Sequence, residues 1–89
     1  MEQRIWKYQL EITDDQVISM PTGAEILTVQ MQNGKPCLWA LVDPNEETKI
    51  YRLIQIYGTG NPIPDGNRKY ISSIQIFNGD LIFHVFERI

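Results

Sequence analysis

The sequence predicts an all-β domain of about seven antiparallel strands, arranged as a small sandwich or barrel. Three observations carry this expectation. Two Asn-Gly dipeptides, Asn33-Gly34 and Asn78-Gly79, each sit between apolar-rich runs, and both residue types tolerate the positive φ of a type I′ hairpin turn. Residues 6–12 alternate strictly between apolar and polar side chains, the period of a half-buried strand. No stretch sustains the 3.6-residue period of an amphipathic helix.

In order along the chain, Trp6, Tyr8, Leu10 and Ile12 fall on one face of the first strand, with Lys7, Gln9 and Glu11 on the other. Thr13-Asp14-Asp15 supplies turn residues whose side chains compete for local backbone bonds. Val17–Met20 reads as a short strand near an edge, stopped by Pro21-Thr22-Gly23. The first hairpin follows over residues 24–43. A two-residue turn at Asn33-Gly34 sets Gln32 opposite Lys35, Gln30 opposite Cys37, Thr28 opposite Trp39 and Ile26 opposite Leu41. Leu27, Val29, Met31, Leu38 and Ala40 then form the core face, and Trp39 with Thr28 and Gln30 the face of unknown covering.

Pro44–Thr48 is a polar turn, and Lys49–Tyr57 a strand. Ile50, Arg52, Ile54 and Ile56 share one of its faces; Tyr51, Leu53, Gln55 and Tyr57 share the other. Residues 58–69 form the one long loop, with three glycines and two prolines in twelve residues. Long loops in small domains often carry function. The second hairpin, Tyr70–Phe77 and Asp80–Glu87, sets Ile74 opposite Phe83, Ser72 opposite Val85, Ser73 opposite His84 and Ile71 opposite Phe86.

The 89 residues suit one domain. A hydrophobic fraction of 43% and a charged fraction of 21% are those of an ordinary globular chain. A net charge of −3 argues against duplex nucleic acid as a partner, because phosphate binding draws on clustered Lys and Arg. The single cysteine, Cys37, reads as a small buried hydrophobe. No uninterrupted apolar segment opens the chain, so neither a signal peptide nor a membrane partner is expected, and the cytoplasm is the expected compartment.

Two groups of residues stand out as ligand-binding candidates. Thr59, Asn61 and Arg68, in and beside the Gly-rich loop, offer donors to an anion or a ribose. Trp39, Tyr57 and His84, on mixed strand faces, offer surfaces on which a planar group stacks. Ser73 opposite His84 supplies two members of a nucleophilic constellation, yet no acid is placed by sequence to orient them. No metal-type carboxylate cluster and no cofactor motif is present. The chain therefore reads as a binding protein and not as an enzyme. Apolar residues on both faces of several strands point further to a homo-oligomer, most simply a two-fold dimer.

The segments Ile5-Trp6-Lys7-Tyr8, Leu38-Trp39-Ala40-Leu41-Val42-Asp43-Pro44, Gly58-Thr59-Gly60 with Pro62-Ile63-Pro64, and Phe83-His84-Val85-Phe86-Glu87 resemble a group of short proteins of tailed bacteriophages and prophages, known as a domain of unknown function. The resemblance spans nearly the whole chain. It implies an accessory factor acting in the cytoplasm of an infected bacterium. By analogy at the level of class, it implies a protein that counters host defence by sequestering an immune signalling nucleotide. An inhibitor that contacts a host defence protein or host enzyme, and a minor virion or assembly protein, are the alternatives.

Overall fold

The computed structural model describes residues 2–89. Seven antiparallel strands make two sheets: β1 (Arg4–Gln9), β2 (Asp15–Pro21), β3 (Glu25–Gln32), β4 (Lys35–Val42), β5 (Lys49–Gly58), β6 (Arg68–Ile76) and β7 (Leu81–Arg88). One sheet has the order β1-β4-β3 and the other β2-β5-β7-β6. The expected all-β sandwich is therefore the fold, and the two sheets do not close into a barrel. No helix among the described residues is long and apolar enough to cross a membrane.

Both Asn-Gly hairpins form in the expected register near their turns. Asn33 and Gly34 have φ of 50° and 78°, and Asn78 and Gly79 have φ of 56° and 92°, as a type I′ turn requires at both central positions. Gln32 faces Lys35, Gln30 faces Cys37 and Thr28 faces Trp39 in the first hairpin. Ile76 faces Leu81, Ser73 faces His84 and Ser72 faces Val85 in the second. Each ladder then slips by one residue, between Ile26 and Thr28 in β3 and between Tyr70 and Ser72 in β6. A β-bulge puts two residues against one and reverses the side-chain alternation beyond it. Ile26 consequently pairs with Ala40 and not with Leu41, and packs against the core. Leu27, expected in the core, is 41% exposed. Likewise Tyr70, not Ile71, faces Phe86.

The core lies between the sheets. Val29, Leu38, Ala40 and Val42 from the first sheet meet Met20, Ile54, Ile56, Ile74 and Val85 from the second, with Leu10 and Ala24 at the ends. Trp6, Tyr8, Ile18, Ile26, Met31, Ile71 and Phe83 pack around them. Leu10 is buried just past the end of β1, whereas Ile12, expected on the same face, is 41% exposed. The cause is a corner after β1, held by the Gln16 side chain. Gln16 Nε2 donates to the Glu11 carbonyl at 2.7 Å, and its Oε1 accepts from the Glu11 N–H at 3.0 Å.

At one side the sheets nearly join. The free edge of β3 faces that of β6, and the Ser72 hydroxyl spans the gap, accepting from Val29 N–H at 3.1 Å and donating to Val29 carbonyl at 2.8 Å. Between the layers Arg52 makes a bidentate ion pair with Glu87, the Nη2–Oε1 arm at 3.0 Å, and donates to the Ala24 carbonyl at 2.8 Å.

Candidate functional site

Period-two alternation sends Gln55 and Tyr57 of β5, His84 and Phe86 of β7 and Tyr70 of β6 to the outer face of the four-stranded sheet. Their inward neighbours Ile54, Ile56 and Val85 fill the core. Tyr57 is the cross-strand neighbour of His84, and Phe86 lies between Gln55 and Tyr70. An outer sheet face is normally wet, yet Tyr57 is only 6% and Gln55 only 4% exposed. The residues between β5 and β6, with Arg68 at their end, supply the cover.

Arg68 organises that cover. Its guanidinium carbon lies 5.9 Å from the centre of the Tyr57 ring, within the range of a cation–π contact. Its Nε donates to Gln55 Oε1 at 2.6 Å and its Nη1 to the Pro64 carbonyl at 2.6 Å. The other end of the Gln55 amide donates to Asp15 Oδ1 at 2.6 Å. A polar line thus runs from the Asp15 carboxylate through Gln55 to Arg68 and into the loop. Arg68 Nη2 is buried and has no hydrogen-bond partner among the described residues.

The aromatic rings pack edge to face. Tyr57 and Phe86 are 6.3 Å apart at 63°, and Tyr70 and Phe86 are 5.2 Å apart at 89°, favourable arrangements for ring quadrupoles. His84 closes the cluster. Its Nε2 is 2.7 Å from the Thr59 hydroxyl and its Nδ1 is 2.8 Å from the Tyr70 hydroxyl. The two hydroxyls thus give each ring nitrogen a hydrogen-bond partner. Ser73 stands opposite His84 in the ladder, but the imidazole bonds Thr59 and Tyr70.

Of the six candidates read from the sequence, Tyr57, Thr59, Arg68 and His84 converge here. Asn61 lies beside them at the start of the loop, where its N–H donates to the Gly58 carbonyl at 3.1 Å. Its side chain packs so closely on Gly58 that an added Cβ there would stand 3.0 Å from Asn61 Nδ2. Trp39 is elsewhere. It projects from the outer face of the three-stranded sheet, between Lys7 and Thr28 on the neighbouring strands, with the Lys7 ammonium 5.8 Å from its ring centre. Trp39 and Tyr57 therefore cannot grip one ligand. Sequence reading missed Gln55, Tyr70 and Phe86, although alternation from Tyr57 and His84 marks Gln55 and Phe86 as sharing their face.

A second concavity was not foreseen. A cleft of about 430 Å³ opens at the β3–β6 seam, with Ile26 and Leu27 on one wall, Lys69, Tyr70 and Ile71 on the other, and the Arg52–Glu87 pair also lining it. The residues of both bulges line it. No group of three or more His, Cys, Asp or Glu among the described residues is placed to hold a metal ion. The geometry of the aromatic cluster suits binding and loop anchoring, with its polar atoms mostly engaged with one another.

Comparison with curated proteins and with solved structures finds no match. A family model described as a domain of unknown function, DUF7352, matches residues 1–89. Because that match covers the full length, the chain belongs to the DUF7352 family.

Proposed function

We propose that this chain is a non-catalytic accessory protein of a tailed phage or prophage that binds a host protein, with the loop between β5 and β6 as its contact surface. One observation carries the reading: the loop is pinned along its length, yet every residue from Thr59 to Asn67 is exposed. Thr59 N–H donates to the Ile82 carbonyl at 3.1 Å, Arg68 holds Pro64, and the Ile89 N–H holds the Asn67 carbonyl at 3.0 Å. Ile63, 42% exposed, is displayed between Pro62 and Pro64. A loop already fixed in one shape loses little conformational entropy on binding, and loops on rigid scaffolds are the usual seat of recognition. A host defence protein or host enzyme is the expected target. The test is Ile63→Asp, whose exposed site leaves the fold intact. A host protein co-purifying in stoichiometric amount with the wild-type chain should be lost with the variant, and equal recovery would remove the loop from the contact.

A second reading, sequestration of a cyclic or ADP-ribose-type nucleotide, is favoured by the unpartnered Arg68 Nη2 beside the Tyr57 ring. A phosphate or ribose oxygen would complete that guanidinium. It requires the loop to lift, since Tyr57 is covered. Calorimetry against a panel of such nucleotides decides it, and an absence of heat with the wild-type chain rejects it.

A further inference from the structure

We propose that β2 is a self-association edge: two copies pair β2 against β2 antiparallel, joining their four-stranded sheets into one of eight strands. The two sheets have four strand edges among the described residues. Those of β3 and β6 face each other across the Ser72 bridge. The β1 edge carries Arg4 and Lys7 within six residues, and charged side chains, Lys above all, are a common guard against edge pairing. The β2 edge has no charge from Gln16 to Met20, and its side chain at Val17 is 58% exposed.

Backbone direction supports the same edge. Ile56 N–H donates to the Asp14 carbonyl and Thr22 N–H to the Thr48 carbonyl, so even-numbered residues of β2 bond toward β5. Alternation in an antiparallel ladder then points the N–H and C=O groups of Val17 and Ser19 outward. Pro21 closes the outward set: it has no N–H to leave unpaired, and its carbonyl accepts from Ala24 N–H at 3.1 Å, so the open edge is that of Val17 and Ser19.

The edge is self-complementary about a two-fold axis. An overlap centred on Ile18 sets it opposite Ile18 of the second copy and Val17 opposite its Ser19, a pairing that supplies four backbone hydrogen bonds. Ser19 pairs with Tyr51 on β5, and Tyr51 is 81% exposed. Val17 of one copy therefore shares an outer face with Tyr51 of the other, one strand apart across the small Ser19, over which the long tyrosine side chain can lean toward it. A two-fold contact of this kind closes on itself and stops at two subunits.

Sedimentation equilibrium and amide hydrogen exchange test this together. The expected mass is twice the 10.4 kDa of the chain, with slow exchange at Val17 and Ser19 and fast exchange at Ile5 and Lys7 on the β1 edge. Ser19→Pro removes an outward N–H that the isolated chain does not use, and should raise the dimer dissociation constant at least tenfold while leaving the circular dichroism spectrum unchanged. If that variant fails to fold, the exchange pattern of the wild-type dimer decides alone. A monomer mass at all concentrations, an unchanged dimer in the folded variant, or protection at Ile5 and Lys7 in place of Val17 and Ser19 would each overturn the proposal.

Discussion

Phe77 holds a backbone conformation that a bulky L-residue disfavours. Its φ is +55° at the mouth of the second hairpin, immediately before Asn78 and Gly79, which also have positive φ. Crowding between Cβ and the carbonyl costs such a residue about 1–2 kcal/mol. Its side chain is 69% exposed, so burial offsets little of that cost. Asparagine tolerates the region better, because its short side chain bonds locally. Phe77→Asn should therefore raise stability by about 1 kcal/mol, read as a higher urea midpoint at unchanged slope. A lower midpoint would mean that the ring makes a contact worth more than the strain. Tyr8 gives a prediction in pH. It packs at the rim of the core, and burial pushes its phenol above the ordinary value. A group whose pKa is higher in the folded than in the unfolded chain contributes stability that is complete below its unfolded value, about 10 for tyrosine. That contribution is lost as pH rises through the folded value. The wild-type chain should accordingly lose stability more steeply than Tyr8→Phe as the pH rises above about 10, and parallel slopes in the two titrations would refute the assignment.

Among the elements, the seam of β3 and β6 rests on Ser72. Its hydroxyl satisfies both Val29 N–H and Val29 carbonyl, groups that an ordinary sheet would pair with a neighbouring strand. Clefts of about 430 Å³ and 300 Å³ flank this bridge. Ser72→Ala should cost about 1–3 kcal/mol, the penalty for stranding buried polar groups. It should also speed exchange of the Val29 amide in particular. A global loss without that local acceleration would place the damage elsewhere. The same pair of strands marks the limit of what sequence pattern conveys. Turn chemistry at Asn33-Gly34 and Asn78-Gly79 propagated correct register for several residues, through Thr28–Trp39 and Ser72–Val85. It failed at Leu27 and Ile71, because a bulge depends on how two edges meet across the sandwich and leaves no local signature. Leu27 and Ile26 are equally apolar, so neither order of burial violates the hydrophobic pattern. For the candidate site, alternation correctly grouped Tyr57 with Gln55. The burial of that face was illegible, because it depends on where the loop after Gly58 lands. Residue type alone groups Trp39 with Tyr57 and His84, and only the assignment of strands to separate sheets parts them.

At the scale of the whole molecule, two thin layers share one core, and one cation ties the layers together. Arg52 sits on the inner face of β5 among isoleucines, a placement evident from the alternation Ile50, Arg52, Ile54, Ile56. Its partner Glu87 was not, because β7 becomes its neighbour only after the 58–67 crossing. Both side chains are 16% exposed. The guanidinium uses three nitrogens, two on Glu87 and one on the Ala24 carbonyl at the entrance to β3. It thereby bonds a backbone group of the opposite layer. Removing one member of a buried pair typically costs 3–5 kcal/mol, because the other charge stays behind without compensation. The residual exposure here lets water screen the orphan, which brings the expected loss for Arg52→Met to about 2–3 kcal/mol. Glu87→Leu alone should cost a similar amount, leaving Arg52 with only the Ala24 carbonyl. Replacing both at once removes both desolvation penalties and leaves one unpaired carbonyl beside a solvent-open cleft. The double variant should therefore be more stable than either single variant, with a coupling of at least 1 kcal/mol in a double-mutant cycle. Additive losses would show that the two residues stabilise the fold separately, through packing of their carbon stems, and that the layers are held by the apolar core alone.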